Sequence, residues 1–204
     1  WADLECRLLR RADLVVTTSK ELARAKSIFR DGIHVVTNGA EVDHFALAQS
    51  QNSPPEELRG MRRPIIGYIG SVFRWLDQDM LVHAARAKPD WNFVLIGPVD
   101  TDVARLKRMP NIRLLGSRPY ADLPRYLSGL DILTIPFVRH DVTLRSSPVK
   151  FYEYLASGLP IVASRLPDLE PFGHLAHLVT TPEEFLKGLE AALDSETSAA
   201  KDGR

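Results

Sequence analysis

Short runs of continuous apolar residues alternate with amphipathic stretches along most of this 204-residue chain. From residue 61 onward each apolar run predicts a strand, and each amphipathic stretch that follows predicts a helix. The predicted strands are "PIIGYIGS", "WNFVLIGPV", "IRLLGS", "DILTIPF", "PIVAS" and "HLVTT". Because these strands lack polar alternation, they are expected to be buried on both faces. The pattern therefore predicts an α/β fold built on a doubly wound parallel sheet.

The first 60 residues show the same alternation on a smaller scale. Leu4, Leu8 and Leu9, with charged residues between them, predict an amphipathic helix. The strand "DLVVTTS" follows, then a helix capped by Ser19, then the strand "IHVVTNGAEV". The polar, proline-bearing stretch before Met61 is the best linker candidate. We therefore expect a boundary between residues 1–60 and 61–195, and a frayed polar tail over 196–204.

Charge and cysteine content exclude several classes of protein. The 26 basic residues balance the 26 acidic residues, so no nucleic-acid partner is expected. The single cysteine, Cys6, cannot form an intramolecular disulfide, and no apolar run reaches the ~20 residues of a membrane helix. These features favour a cytoplasmic protein. The cluster Arg7, Arg10 and Arg11 is either a solvated helix face or a peripheral contact with anionic lipid at the inner membrane face.

Glycines and polar residues follow three successive predicted strands, where the ligands of an open parallel sheet bind. Gly70, Ser71 and Arg74 follow the first strand, and Gly97 follows the second. The third strand is followed by Arg118, Pro119 and Tyr120. These loops are either tight turns or a crevice in which the backbone approaches a phosphate. The three-glycine dinucleotide fingerprint is absent from the first loop.

The segment "LRSSPVKFYEYLASGLPIVAS" predicts a helix with an open, polar start. Pro148 suits the first turn and Ser146 or Ser147 suits the cap, so the free N–H groups near Val149 predict an anion site. Arg145, just before the cap, is expected to reach over this helix start.

Lys150 and Glu153 are three residues apart in this segment and therefore share one face of the predicted helix. They form either a surface ion pair or part of the ligand site. In the second case Glu153 would accept the hydroxyls of a ribose whose phosphates lie at the helix start.

No metal site is predicted. The acidic triplet Asp77-Gln78-Asp79 lies at or inside a predicted helix, where residues two apart diverge by roughly 200°. The six histidines show no metal-binding spacing on one helix face.

Four segments in a common order resemble the donor-nucleotide half of retaining glycosyltransferases with the GT-B fold, of the group 1 or family 4 type. They are "VVTNGAEVDHF", "GYIGS", "LLGSRPYADLPRYLSGLDILTIPF" and "SPVKFYEYLASGLPIVAS". The resemblance covers most of the chain and implies a Rossmann-like C-terminal domain. "DLVVTTSKEL" and "NGAEVDHF" look like the end of the N-terminal acceptor domain and the crossing between domains. We therefore expect the chain to be a piece of a longer enzyme and inactive alone.

The resemblance implies a UDP- or GDP-sugar donor, metal-independent transfer with retention, and no cofactor. Glu153 is similar to the family's ribose-binding glutamate. Residues 146–149 would lie under the diphosphate, and residues 118–120 near the base. Arg145 stands where many relatives have a second glutamate, eight positions before the first. The catalytic residues are expected on the missing N-terminal domain, and the acceptor is not identified.

Two other classes of function remain open from the sequence. One is a non-catalytic Rossmann-like binding domain that has kept the fold and lost the donor site. The other is an NAD-type oxidoreductase domain, against which the missing glycine fingerprint counts. A response to UDP or GDP rather than to NAD would discriminate between them.

Overall fold

A computed structural model describes residues 2–51 and 53–202 of the chain, with side chains over 3–51 and 53–195. The strands are β1 (Val15–Thr17), β2 (Ile33–Val35), β3 (Ile65–Ile69), β4 (Asn92–Ile96), β5 (Ile112–Gly116), β6 (Ile132–Ile135), β7 (Ile161–Ser164) and β8 (His177–Val179). The helices are α1 (Ala2–Arg11), α2 (Lys20–Lys26), α3 (Val42–Ala46), α4 (Gln78–Ala87), α5 (Ala104–Lys107), α6 (Leu123–Leu127), α7 (Asp141–Leu144), α8 (Val149–Ser157) and α9 (Pro182–Asp202).

Six strands form one parallel sheet in the order β5-β4-β3-β6-β7-β8, flanked by helices. The predicted doubly wound α/β class is therefore confirmed. Strands β3 and β6 are neighbours in the sheet, although β4 and β5 lie between them in sequence. The chain thus changes winding direction between these two strands. A crevice opens at their carboxyl ends, where ligands of such sheets bind.

The core follows from the apolar runs. Strand β3 is buried along its whole length, and so is β6. The large apolar side chains of α8 and α9 complete the core from the helical layers; Phe151 and Phe185 are fully buried. Because neighbouring strands are buried on both faces, the strand ends and their loops are the part of the sheet open to a ligand.

The first 60 residues form a smaller parallel pair, β1 with β2, and the helices around it. Ser19 caps α2 as predicted, with its hydroxyl accepting the Leu22 N–H at 3.1 Å. The predicted linker is not a loose segment, because Leu58 within it is only 3% exposed. A methyl group added at Gly129 would meet Leu58 and Pro54, so this stretch packs against the main domain.

Three details differ from the sequence prediction. Helices α3 and α7 were not predicted, because each is only about one turn long and lacks a periodic apolar pattern. Helix α9 does not end at Ser195 but continues to Asp202. Part of the predicted frayed tail, Gly203 and Arg204, lies outside the described residues. None of the described helices is long and apolar enough to cross a membrane.

Candidate functional site

Three glycines lie side by side at the carboxyl ends of β3, β4 and β5. The Gly70 N–H donates to the Ile96 carbonyl at 2.8 Å, and the Gly97 N–H donates to the Gly116 carbonyl at 2.9 Å. A methyl group added at Gly97 would lie 2.1 Å from the Gly70 carbonyl oxygen. Packing between neighbouring strand ends therefore explains Gly97 without any ligand.

Gly70 is constrained by a side chain rather than by backbone. A methyl group there would lie 2.7 Å from Cε of Lys150 and 3.1 Å from its Nζ, and φ is +149°. Glycine at this position thus leaves space for a lysine that reaches across from α8.

Helix α8 begins without the serine cap that the sequence predicts. Pro148 is the N-cap residue and no side chain caps the helix. The Ser146 hydroxyl instead donates to the Thr143 carbonyl at 2.8 Å, and the Ser147 hydroxyl contacts the Tyr152 hydroxyl at 3.4 Å. The cap prediction is therefore wrong, because both hydroxyls are engaged elsewhere.

The open start of α8 leaves backbone donors free. Among the described residues, the N–H groups of Val149 and Lys150 donate to no protein atom. Unpaired amides at a helix start, together with the helix dipole, favour an anion. The predicted room for a phosphate is thus present, with backbone groups rather than serine hydroxyls facing it.

Two side chains from the first 60 residues hold the turn that leads into α8. The Ser19 hydroxyl donates to the Arg145 carbonyl at 2.5 Å, and the Asn38 side-chain amide donates to the Ser147 carbonyl at 2.6 Å. Sequence reasoning missed both contacts, since the partners are 126 and 109 residues apart. The guanidinium of Arg145 lies beside Asp141, with Nη2 at 3.3 Å from Oδ2.

Glu153 lies half-buried on α8, one turn into the helix. Burial raises the pKa of its carboxyl, while Lys150 and His44 lower it to a lesser extent. In the described part of the chain Glu153 forms no ion pair with Lys150, so the surface ion-pair interpretation is wrong. The carboxylate is therefore available to a ligand.

Lys150 extends over the end of the sheet instead of along the helix surface. Its Nζ lies 5.1 Å from the centroid of the Phe137 ring and 5.6 Å from that of Tyr68. Burial lowers the pKa of this ammonium group, and Glu153 raises it to a lesser extent. Phe137 follows β6 and Tyr68 belongs to β3, so the amine lies at the crevice between these two strands.

Helix α8 is fixed to β3 by Tyr154. Its buried hydroxyl accepts the Ile69 N–H at 2.8 Å and donates to the Ile69 carbonyl at 3.1 Å. These two bonds hold α8 against the residue just before Gly70. The helix start and the first strand-end loop therefore keep a constant spacing.

His44 and Glu41 form a wall near Glu153 that sequence reasoning did not identify. The ring of His44 stacks on that of Tyr120, with centroids 4.5 Å apart, and its Nε2 lies 3.1 Å from the Tyr120 carbonyl oxygen. Burial raises the pKa of the Tyr120 phenol, as do Glu41 and Glu153. Only the position of α3 against α8 brings these residues together.

Arg118, Pro119 and Arg74 occupy other positions. Arg118 donates to the Tyr126 hydroxyl at 2.6 Å and to Glu57 at 3.0 Å, so its guanidinium faces the 53–60 segment. Pro119 begins the single turn Tyr120–Asp122. Arg74 is exposed, with its guanidinium 5.4 Å from the Phe73 ring centroid. These residues do not converge with Lys150 and Glu153 by direct contact.

The acidic triplet has a structural role. Asp77 caps α4, and its Oδ1 accepts the N–H groups of Asp79 and Met80 at 3.0 and 3.1 Å. Asp79 forms an ion pair with Arg105 on the other side of that cap. The two carboxylates are thus engaged by separate partners, as the helical spacing predicts.

Comparison with known proteins gives a consistent result. The family model for Glycosyl transferases group 1 matches residues 63–195. TuaH of Bacillus subtilis (strain 168), a protein assigned to teichuronic acid biosynthesis as a glycosyltransferase, is 32% identical over 171 residues. The match covers 80% of this chain and 43% of TuaH, so the chain spans less than half of that relative's length.

Solved structures share the fold at low sequence identity. Sucrose-phosphate synthase from Thermosynechococcus elongatus matches with a TM-score of 0.67 at 17% identity, over 94% of this chain and 52% of that one. HepE from Anabaena, solved in complex with UDP and glucose, matches with a TM-score of 0.66 at 18% identity. That match covers 96% of this chain and 57% of HepE.

Proposed function

Because this chain belongs to the group 1 glycosyl transferase family, we propose that it forms the donor-binding half of a glycosyltransferase. The donor would be a UDP- or GDP-sugar, and the whole protein would move its sugar to an acceptor with retention of configuration and without a metal ion. The acceptor would be bound by a part of the whole protein other than residues 61–195.

One arrangement supports this proposal most strongly. Free N–H groups at the start of α8 and the half-buried, unpaired carboxylate of Glu153 lie one turn apart on the same helix. The amides suit a diphosphate and the carboxylate suits the two hydroxyls of a ribose. A nucleoside diphosphate carries these two groups at about that separation.

The shared fold adds a second line of support. HepE was solved with UDP and glucose, and its fold matches nearly all of this chain. A UDP-sugar is therefore the first donor to test.

Chemistry at this site would be electrostatic. Breaking the bond between the sugar and the diphosphate places negative charge on the leaving diphosphate. The α8 amides, the helix dipole and a nearby Lys or Arg would stabilise that charge. No side chain of this half needs to form a covalent bond for that contribution.

A binding screen tests the proposal against the dinucleotide alternative. Thermal shift and titration calorimetry of this chain with UDP, GDP, ADP, NAD and the sugar conjugates should show binding of one nucleoside diphosphate, and none of NAD. Helix α4 begins only at Gln78, well after Gly70, so the first loop lacks the helix start that holds a dinucleotide pyrophosphate. Preferential binding of NAD would overturn the proposal.

A further inference from the structure

We infer that Lys150 supplies, from inside helix α8, the cation that contacts the diphosphate of the donor. The inference deepens the proposed function and rests on it. Its starting observation is the position of the lysine at the crevice between the ends of β3 and β6, which spacing along the helix does not predict.

The lysine lies between two sets of backbone atoms that the sequence predicts for a phosphate. On one side are the free N–H groups at the start of α8, from Val149 and Lys150 itself. On the other side is the loop that begins at Gly70, close enough that a methyl group there would lie 3.1 Å from Nζ. An anion bound by either set would therefore lie near the ammonium group.

The surroundings of this ammonium group leave its charge uncompensated. Two aromatic rings, from Tyr68 and Phe137, face the nitrogen, and within the described residues it has no carboxylate at ion-pair distance. A desolvated cation without an anion is costly, and ring faces offset only part of that cost. A bound diphosphate would supply the missing anion.

The other candidate cations have different settings. Arg145 lies against Asp141, and Arg118 lies against Glu57. Arg74 is exposed to solvent over Phe73, where screening weakens its effect. Lys150 combines enclosure with a position at the strand ends, which favours it as the charge that a leaving diphosphate would meet.

The test compares Lys150→Met with the wild-type chain in titrations with UDP, GDP, inorganic pyrophosphate, uridine and guanosine. Met keeps most of the stem and removes the charge. We expect affinity for the diphosphate that binds, and for pyrophosphate, to fall about tenfold or more, the range for a hydrogen bond to a charged group. Affinity for the free nucleoside should change less than about twofold, within the scatter of a distant substitution.

Lys107→Met is the matched control, since Lys107 is exposed on α5 and its loss changes the net charge equally. It should leave every affinity unchanged. Lys150→Gln is a second variant without the charge and should behave as Lys150→Met does, while thermal melting checks that each variant is folded.

The outcomes separate the two proposals. Equal losses for nucleoside and diphosphate, or no loss in a folded variant, would overturn the role of Lys150 and leave the proposed function standing. A wild-type chain that binds no nucleoside diphosphate would overturn both.

Discussion

At the scale of single residues, the site combines groups that are costly to bury with few protein partners. Glu153 is half-buried without an ion pair, and Lys150 is enclosed by aromatic rings without a carboxylate. Such arrangements are more typical of ligand sites than of structural ones. Stability and binding should therefore respond in opposite directions to substitutions here.

The substitution Glu153→Gln tests that opposition. We expect nucleoside diphosphate binding to weaken by roughly 1.5 to 3 kcal/mol, because a charge-assisted hydrogen bond is lost. Thermal stability of the unliganded chain at neutral pH should not fall. Burial raises the pKa of Glu153 in the folded state, so its ionisation destabilises the fold as pH rises through that pKa, and glutamine avoids this cost.

Calorimetry and thermal melting between pH 5 and 8 measure both effects of Glu153→Gln. Glu183→Gln is the control of opposite sign, because hydrogen bonds from its own backbone and from Thr181 lower the pKa of Glu183. That variant should not gain stability as pH rises. A Glu153→Gln protein that binds as tightly as wild type would contradict a ligand role for this carboxylate.

Arg145→Ala tests whether the second cation reaches the diphosphate. Its pair with Asp141 is exposed and contributes about 0–1 kcal/mol, so the guanidinium can leave it to meet an anion. We expect the substitution to weaken binding of the diphosphate more than of the free nucleoside, with a difference that shrinks as salt is raised. Titrations at two salt concentrations measure this.

Arg62→Ala is the matched control for Arg145→Ala, since Arg62 forms a similarly exposed pair with Asp90. It should leave nucleotide affinity unchanged. Equal losses for nucleoside and diphosphate with Arg145→Ala would mean that Arg145 acts on the fold alone.

At the scale of elements, the turn from 145 to 148 is shaped by residues that come from elsewhere in the chain. Ser19 and Asn38, from the part of the chain assigned to another domain, bond to the carbonyls of Arg145 and Ser147. Tyr154 fixes the following helix to β3. The free amides of α8 are therefore presented by contacts from three separate parts of the chain.

Asn38→Ala tests this support. Loss of its hydrogen bond should lower the free energy of unfolding by about 1 kcal/mol. Affinity for the diphosphate should fall as well, because the turn before α8 loses one of its two anchors. Urea unfolding and calorimetry measure the two effects. Ser50→Ala is the control, since its hydroxyl donates only to Leu47 within its own turn. Unchanged stability and affinity would show that Asn38 does not hold the turn.

At the scale of the whole molecule, the family and the GT-B-type fold predicted from the sequence are confirmed. The division at residue 60 stays a prediction, as do retention, metal independence and cytoplasmic location. The segment before residue 61 nevertheless contributes Leu58 to the main core. That contact gives the proposed boundary a measurable consequence.

Leu58→Ala should destabilise the main domain by about 2 to 5 kcal/mol, as expected for truncating a buried leucine. Urea unfolding followed by far-ultraviolet circular dichroism measures the change. Leu47→Ala is the matched control, because Leu47 is 47% exposed and its truncation should have little effect. Equal stability of the two variants would mean that the 53–60 segment is a free linker.

Local chemistry explains what the sequence alone determined. Apolar runs specify the six parallel strands, Ser19 caps α2, and Gly158 ends α8 with φ +75°, because each depends on residues that are close in sequence. The open start of α8 and the position of Glu153 one turn into it follow from the same local reasoning. Only the serine cap failed locally, because α7 was not predicted and its Thr143 carbonyl takes the Ser146 hydroxyl.

Tertiary structure decided which of these groups meet. Lys150 reaches the end of β3 rather than Glu153, since the order of the sheet places β3 beside β6 under the start of α8. The same packing brings His44 onto Tyr120. Such contacts join residues far apart in sequence, and their distances depend on how the layers pack, which periodicity does not encode.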